Sequence, residues 1–102
     1  MDSLCDDFQK IISDNNIVVW GTKGCGACVK AKQLLKSKNF AFHEEDLSMT
    51  DQNIQECVLN VTNSPYVPQI FVNKKFIGGF DHLNYLVTTG LLDDLLATNK
   101  KI

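Results

Sequence analysis

Two cysteines one helical turn apart, in Cys25-Gly26-Ala27-Cys28, are the residues of this chain best placed to do chemistry. Sulfurs three residues apart can close an intramolecular disulfide, or they can fill half of a tetrahedral zinc site. A zinc site needs two more ligands, and Cys5, Cys57, His43 and His82 show no paired spacing. Thiol–disulfide exchange is therefore the leading reading, with a metal half-site and inert core cysteines as the alternatives.

Context sharpens that reading. A short apolar, β-branched run, Ile17-Val18-Val19-Trp20, reads as a buried strand and leads through Gly21-Thr22-Lys23-Gly24 into the pair. From Cys25 the period becomes helical, with Cys28, Ala31, Leu34 and Leu35 on one side and Lys30, Lys32 and Lys36 outside. At the first turn of such a helix the Cys25 sulfur meets unsatisfied N–H groups and the positive end of the helix dipole. That setting favours an anion by roughly 0.3–1 kcal/mol, and by up to ~2 kcal/mol when partly buried. At about 1.4 kcal/mol per pH unit it draws the thiol down from its ordinary ~8.5 toward neutrality, and the Lys23 ammonium adds to the effect. Cys25 is thus the candidate nucleophile. Cys28, deeper in the helix, has the place of a resolving thiol, and the small Gly26 and Ala27 leave both sulfurs uncovered.

The elements that must position this pair follow from the remaining pattern. Residues 3–13 place Leu4, Phe8, Ile11 and Ile12 on one helical face, with Ser3 and Asp6 at capping-box spacing. Phe40, Phe42 and Glu44 alternate along a second strand, and a helix starting within residues 48–51 carries Ile54, Val58 and Val61 until Asn63-Ser64-Pro65 stops it. Residues 69–72 and 75–77 form a hairpin about Asn73-Lys74. Gly78-Gly79 breaks the pattern before a helix, with Asp81 as its cap, that carries Leu83, Leu86 and Val87 up to Gly90. Leu91, Leu92, Leu95 and Leu96 make a last amphipathic helix before a lysine-rich tail. The order α-β-α-β-α-β-β-α-α predicts an α/β fold. A parallel strand pair extended by an antiparallel hairpin makes a four-stranded mixed sheet with helices on both faces, a thioredoxin-like three-layer sandwich.

Composition bounds the function. The 102 residues are 44% hydrophobic and 22% charged, as in an ordinary globular domain, and residues 1–102 read as one domain. Its core is modest, since a chain this short buries about 60–65% of its unfolded surface. Ten lysines, no arginine and twelve acids give a net charge of −2, which argues against nucleic acid as a partner. The acidic start has no signal-like apolar run, and no stretch approaches the ~20 apolar residues of a membrane span. The expectation is a monomeric, soluble, cytoplasmic protein with no membrane partner. Its cysteines then read as thiols rather than a disulfide framework, with Cys5 and Cys57 as lone helix core residues.

With Cys25 to Cys28, Val67-Pro68-Gln69-Ile70-Phe71-Val72 and Ile77-Gly78-Gly79-Phe80-Asp81-His82-Leu83 in view, the chain resembles the glutaredoxin family over nearly its whole length, roughly residues 4–96. The resemblance implies a thioredoxin fold and a cis Val67–Pro68 bond. It also implies reduction of glutathione mixed disulfides and of protein disulfides, with glutathione as reductant and no tightly bound cofactor. On that footing the backbone of Val67 beside Pro68 offers a strand edge to the glutathione cysteine. The helix start after Gly79, with Phe80 and the N–H groups of Asp81 and His82, receives the γ-glutamyl carboxylate, and Lys23 holds the glycine carboxylate. Trp20 and Phe71 are expected in the core, and the rings of His43 and His82 in solvent.

Several positions depart from the family pattern. Cys-Gly-Ala-Cys stands for the usual Cys-Pro-Tyr-Cys, so the groove tyrosine is missing, and Tyr66 in place of the usual threonine restores aromatic surface. Ser64 and Pro65 replace an upstream Gln or Arg. Lys23 stands two places ahead of Cys25 rather than three, and the usual helix-start acid position is held by His82. Other readings stay open beside the main one: a thioredoxin-like reductase fed by a flavoprotein, a carrier of a glutathione-ligated [2Fe–2S] cluster, which the absence of proline at Gly26 favours, and a non-catalytic binding protein.

Overall fold

The apolar run that precedes the cysteine pair forms β1 (Ile17–Gly21), and every residue of it is buried. A computed structural model describes residues 5–98 of the chain. Ser3, Leu4 and the lysine-rich tail lie outside the described residues. β1 pairs in parallel with β2 (His43–Asp46) and antiparallel with β3 (Gln69–Val72), and β3 turns into β4 (Lys75–Gly78). The sheet order is β2-β1-β3-β4, with α2 (Gly26–Ser37) as the crossover between the parallel strands. Asn73 and Lys74 both have positive φ, 50° and 73°, the combination that matches a two-residue turn to the twist of its hairpin. α1 (Asp6–Asp14), α3 (Gln52–Thr62), α4 (Phe80–Thr88) and α5 (Leu91–Thr98) complete the expected order.

Alternation along the two central strands divides the core. Ile17, Val19, Ile70 and Val72 point to the side of α2, α4 and α5, where they meet Ala31, Leu35, Leu83, Leu86 and Leu92. Val18, Trp20 and Phe71 point the other way, onto Phe8 and Ile12 of α1 and Cys57 and Val58 of α3. Helices thus cover both faces, as a continuously apolar central strand requires. Trp20 and Phe71 are core residues, as expected.

Five details differ from the sequence-based expectation. β2 begins at His43, while Phe40 and Phe42 precede it and pack against the α2 side of the core. The acidic His43-Glu44-Glu45-Asp46 run has little strand propensity and is held by pairing to β1, and its charges suit an edge strand. The His43 ring is not simply in solvent, because its Nε2 lies 2.5 Å from Glu45 Oε2. Val61 is exposed, since the last turn of α3 runs past the cluster that buries Cys57 and Val58. Gly79, not Asp81, caps α4, so Asp81 falls in its first turn. Finally, Cys5 and Cys57 are joined as a disulfide with a Cα separation of 5.7 Å. They are partners because α1 and α3 lie together on one sheet face, a contact between residues 52 apart that no local period displays.

Candidate active site

The end of β1 and the turn after it deliver Cys25 to the N-cap of α2. Gly24 takes a φ of +77°, the left-handed region that favours glycine. Cys25 keeps extended backbone angles, and its Sγ accepts the Cys28 N–H at 3.1 Å. This is an N-cap hydrogen bond with sulfur in place of oxygen, so the helix supplies a donor to that atom. Cys25 and Cys28 are joined as a disulfide across a Cα separation of 5.2 Å. The two sulfurs are not equivalent: Cys25 is partly exposed, whereas Cys28 is 2% exposed. Gly21 explains how Cys28 fits, because a Cβ there would stand 2.9 Å from Cys28 Sγ. From sequence Gly21 reads only as a turn residue. The available signal was a glycine closing a buried strand, which marks close approach.

The loop before β3 brings the second part of the site. The Val67–Pro68 bond is cis, as the resemblance implies, and the Val67 carbonyl oxygen lies 3.9 Å from Cys25 Sγ. Gln69, the buried polar residue at the start of β3, donates from Nε2 to the Ser64 carbonyl and so ties down the loop that carries Val67. A cleft of about 580 Å³ opens beside this loop. It gathers Tyr66, Val67, Pro68, Gly79, Phe80 and Asp81 against Gly26 and Ala27 of the dithiol turn. Tyr66 is 78% exposed and stands at this cleft with Phe76 and Phe80. The first turn of α4 opens into the same space. Gly79 has no side chain to cap it, and the first helical bond there runs from Leu83 N–H to the Gly79 carbonyl. The amides of residues 80–82 are therefore the unsatisfied donors of a helix start.

The side chains of two expected residues do not line this cleft, although the His82 amide belongs to the α4 start that opens into it. His82 borders a shallow hollow with Phe80, Asp81 and Tyr85. Lys23 lines a separate hollow of about 280 Å³ with Cys28, Lys32, Glu44 and Asp46. Lys32 is paired there with Glu44 at 2.7 Å. The Asp46 carboxyl is held below the usual carboxylate range mainly by the Ser48 hydroxyl, with lesser help from the Ser48 N–H and the charges of Lys23 and Lys32. The cation that does line the Val67 cleft is Lys30, together with Ser64 and Phe76. Lys30 and Phe76 escaped sequence reasoning, whereas Ser64 stands where the family pattern has an upstream Gln or Arg. Lys30 reads as an outer-face lysine of α2, and only the docking of α2 beside α4 turns it toward the cleft. Among the described residues no group of three or more His, Cys, Asp and Glu side chains gathers as a metal site.

A family model for glutaredoxin matches residues 17–77, which include the dithiol, the Val67–Pro68 loop and most of the hairpin. The chain belongs to the glutaredoxin family. This glutaredoxin is 35% identical over 88 residues to Glutaredoxin 1 of Rickettsia typhi, covering 85% of each chain. It is 43% identical over 82 residues to a probable glutaredoxin of Synechocystis sp., covering 80% of this chain and 73% of that one. In structure it resembles the buckwheat glutaredoxin solved as a glutathione complex, with a TM-score of 0.83 at 26% identity, covering 93% of this chain and 88% of that one. The thioredoxin-like fold is thereby established. So is the activity class, a glutathione-dependent thiol–disulfide oxidoreductase, and the flavoprotein-fed reductase reading is not favoured.

Proposed function

We propose that this glutaredoxin reduces glutathione mixed disulfides and protein disulfides with Cys25 as nucleophile and Cys28 as resolving thiol. The observation that carries this assignment is the asymmetry of the pair. One sulfur is partly exposed, sits at a helix N-cap and accepts an amide hydrogen bond, while the other is packed beneath it. In the reduced protein the Cys28 N–H and the α2 dipole favour the Cys25 thiolate.

The Cys25 thiolate attacks the glutathione sulfur of a mixed disulfide. The substrate thiolate leaves and takes a proton from solvent, and Cys25 remains bonded to glutathione. The thiolate of a second glutathione attacks that glutathione sulfur, which frees Cys25 and releases oxidised glutathione. With a protein disulfide, Cys25 forms the first mixed disulfide and the Cys28 thiolate then attacks the Cys25 sulfur, expelling the substrate. Two glutathione molecules reduce the resulting Cys25–Cys28 bond and leave as the disulfide.

Glutathione lies in the 580 Å³ cleft, its cysteine backbone paired with Val67 beside Pro68 and its γ-glutamyl carboxylate on the uncapped amides at the start of α4. Tyr66 and Phe80 border it. Lys30 supplies the in-cleft charge for a carboxylate, and Lys23, on the other flank of the dithiol, acts on it from a distance. Partners are glutathione and glutathionylated or disulfide-bonded proteins, engaged by a monomer. The deciding experiment is a coupled assay on a small glutathione mixed disulfide. Cys25→Ser is expected to abolish turnover, and Cys28→Ser to retain it while losing reduction of protein disulfides. An active Cys25→Ser protein would overturn the assignment.

A further inference from the structure

The second cysteine pair is not used by this chemistry. Cys5 and Cys57 sit on α1 and α3, on the sheet face opposite the helices that carry the dithiol and the α4 start. Their Cα separation of 5.7 Å falls within the 4.4–6.8 Å that a disulfide spans without backbone movement. The sulfurs differ in access: Cys5 is partly exposed at the N-cap of α1, and Cys57 is 3% exposed among Phe8, Trp20 and Val58.

A second observation gives the bond a task. Cys5 gives α1 no side-chain cap hydrogen bond, and the buried residues of the helix are Phe8 and Ile12, with Ile11 and Cys5 partly buried beside them. The helix is therefore held to the sheet by few side chains, and the link from Cys5 to α3 fixes its start. α1 covers Trp20 and Phe71, so holding it closes one half of the core.

We propose that Cys5 and Cys57 form a second redox couple, set by the ratio of oxidised to reduced glutathione, whose closure staples α1 to α3 and stabilises the fold. Oxidised glutathione is the product of the enzyme's own reaction, so the oxidant is at hand. The partly exposed Cys5 thiolate attacks one sulfur of glutathione disulfide, forming a Cys5–glutathione bond and releasing one glutathione thiolate. Cys57 gives its proton to solvent and its thiolate attacks the Cys5 sulfur, releasing the second. Two protein thiols lose two electrons, and one glutathione disulfide becomes two glutathione thiols. Reduced glutathione reverses the sequence by attacking the accessible Cys5 sulfur, with Cys57 as leaving group.

The test uses the full chain carrying Cys25→Ser and Cys28→Ser, whose remaining thiols are Cys5 and Cys57. It does not depend on the proposed catalytic roles. Failure here leaves those roles standing, and an error in them leaves these thiol counts unchanged. The reduced protein is equilibrated in glutathione buffers from fully reduced to fully oxidised, quenched by alkylation, weighed and melted. Both thiols are expected to vanish together in oxidised buffer and return in reduced buffer, with the melting midpoint about 20 °C higher when they are joined. Adding Cys57→Ala should trap one glutathione on Cys5, and adding Cys5→Ala should leave Cys57 unmodified. Should the Cys57→Ala chain fail to fold, the Cys5→Ala chain, which keeps the buried sulfur, carries the order-of-attack test. Thiols that stay free in oxidised glutathione, a bond that survives fully reduced glutathione, a midpoint indifferent to closure, or glutathione on Cys57 would each overturn the proposal.

Discussion

Cys25 and Cys28 are the same residue type three positions apart, and their division of labour comes from where α2 begins. Cys25, as N-cap, has its sulfur at the amide end of the helix, while Cys28 has completed a turn and points at β1. Gly21 is the counterpart of that packing. Gly21→Val would drive side-chain carbon into Cys28 Sγ, and we expect a loss of about 1–3 kcal/mol in denaturant unfolding. Protein-disulfide reduction should suffer more than deglutathionylation, because Cys28 serves only the former. Lys30 and Lys23 make a second contrast. Lys30→Ala removes the in-cleft charge, worth about 1 kcal/mol, and should raise KM for a glutathione mixed disulfide about fivefold. Lys23→Ala should change KM less, since Lys23 lines the hollow with Asp46 instead, and steady-state kinetics on the two variants decide between them.

α4 shows how an element can be left incomplete to the benefit of a ligand. Most helices close their first turn with Ser, Thr, Asp or Asn, and this one starts at Gly79 with no side-chain cap. A Cβ at Gly79 would sit 3.5 Å from the Pro68 carbonyl oxygen, an ordinary contact, so a side chain is sterically tolerated there. Gly79→Asp should therefore fold at least as stably as the parent in thermal melts. Its carboxylate would occupy the amides proposed for the γ-glutamyl group and repel it, so KM should rise tenfold or more, as expected for a charge-assisted bond of about 1.5–3 kcal/mol. Unchanged KM would remove α4 from the glutathione site. The hairpin and the Gln69–Ser64 bond complete the positioning: β3 sits inside the sheet, and the loop leading into it is thereby held against the dithiol.

The molecule as a whole separates its chemistry from much of its stability. One face of the sheet carries α2 and α4, which build the site, and the other carries α1 and α3 with the Cys5–Cys57 link. Phe8 fills the second face, packing against Trp20 and Phe71 with ring centroids 5.7 and 5.6 Å apart. Phe8→Ala is expected to cost about 3–5 kcal/mol in denaturant unfolding while leaving kcat/KM of the folded fraction nearly unaltered. Closing a loop that spans 52 residues contributes about 4 kcal/mol in the chain-entropy account, comparable to that single core ring. For a domain whose total stability is about 5–15 kcal/mol, either change is large.

Residues close in the chain were enough to set the dithiol on a helix start, the buried strand before it, the Asn73-Lys74 turn and the order of elements, because periods, caps and turns are short-range effects. The same local rules misplaced the start of β2 and the cap of α4, where pairing to β1 and the entry of the chain from β4 outweighed propensity. Whatever needed two distant segments to meet was decided by tertiary packing: Lys30 in the cleft and Lys23 outside it, Gly21 against Cys28, and Cys5 bonded to Cys57. Those outcomes depend on how helices dock on the two faces of the sheet. A contact across 52 residues leaves no trace in the spacing of either partner's neighbours.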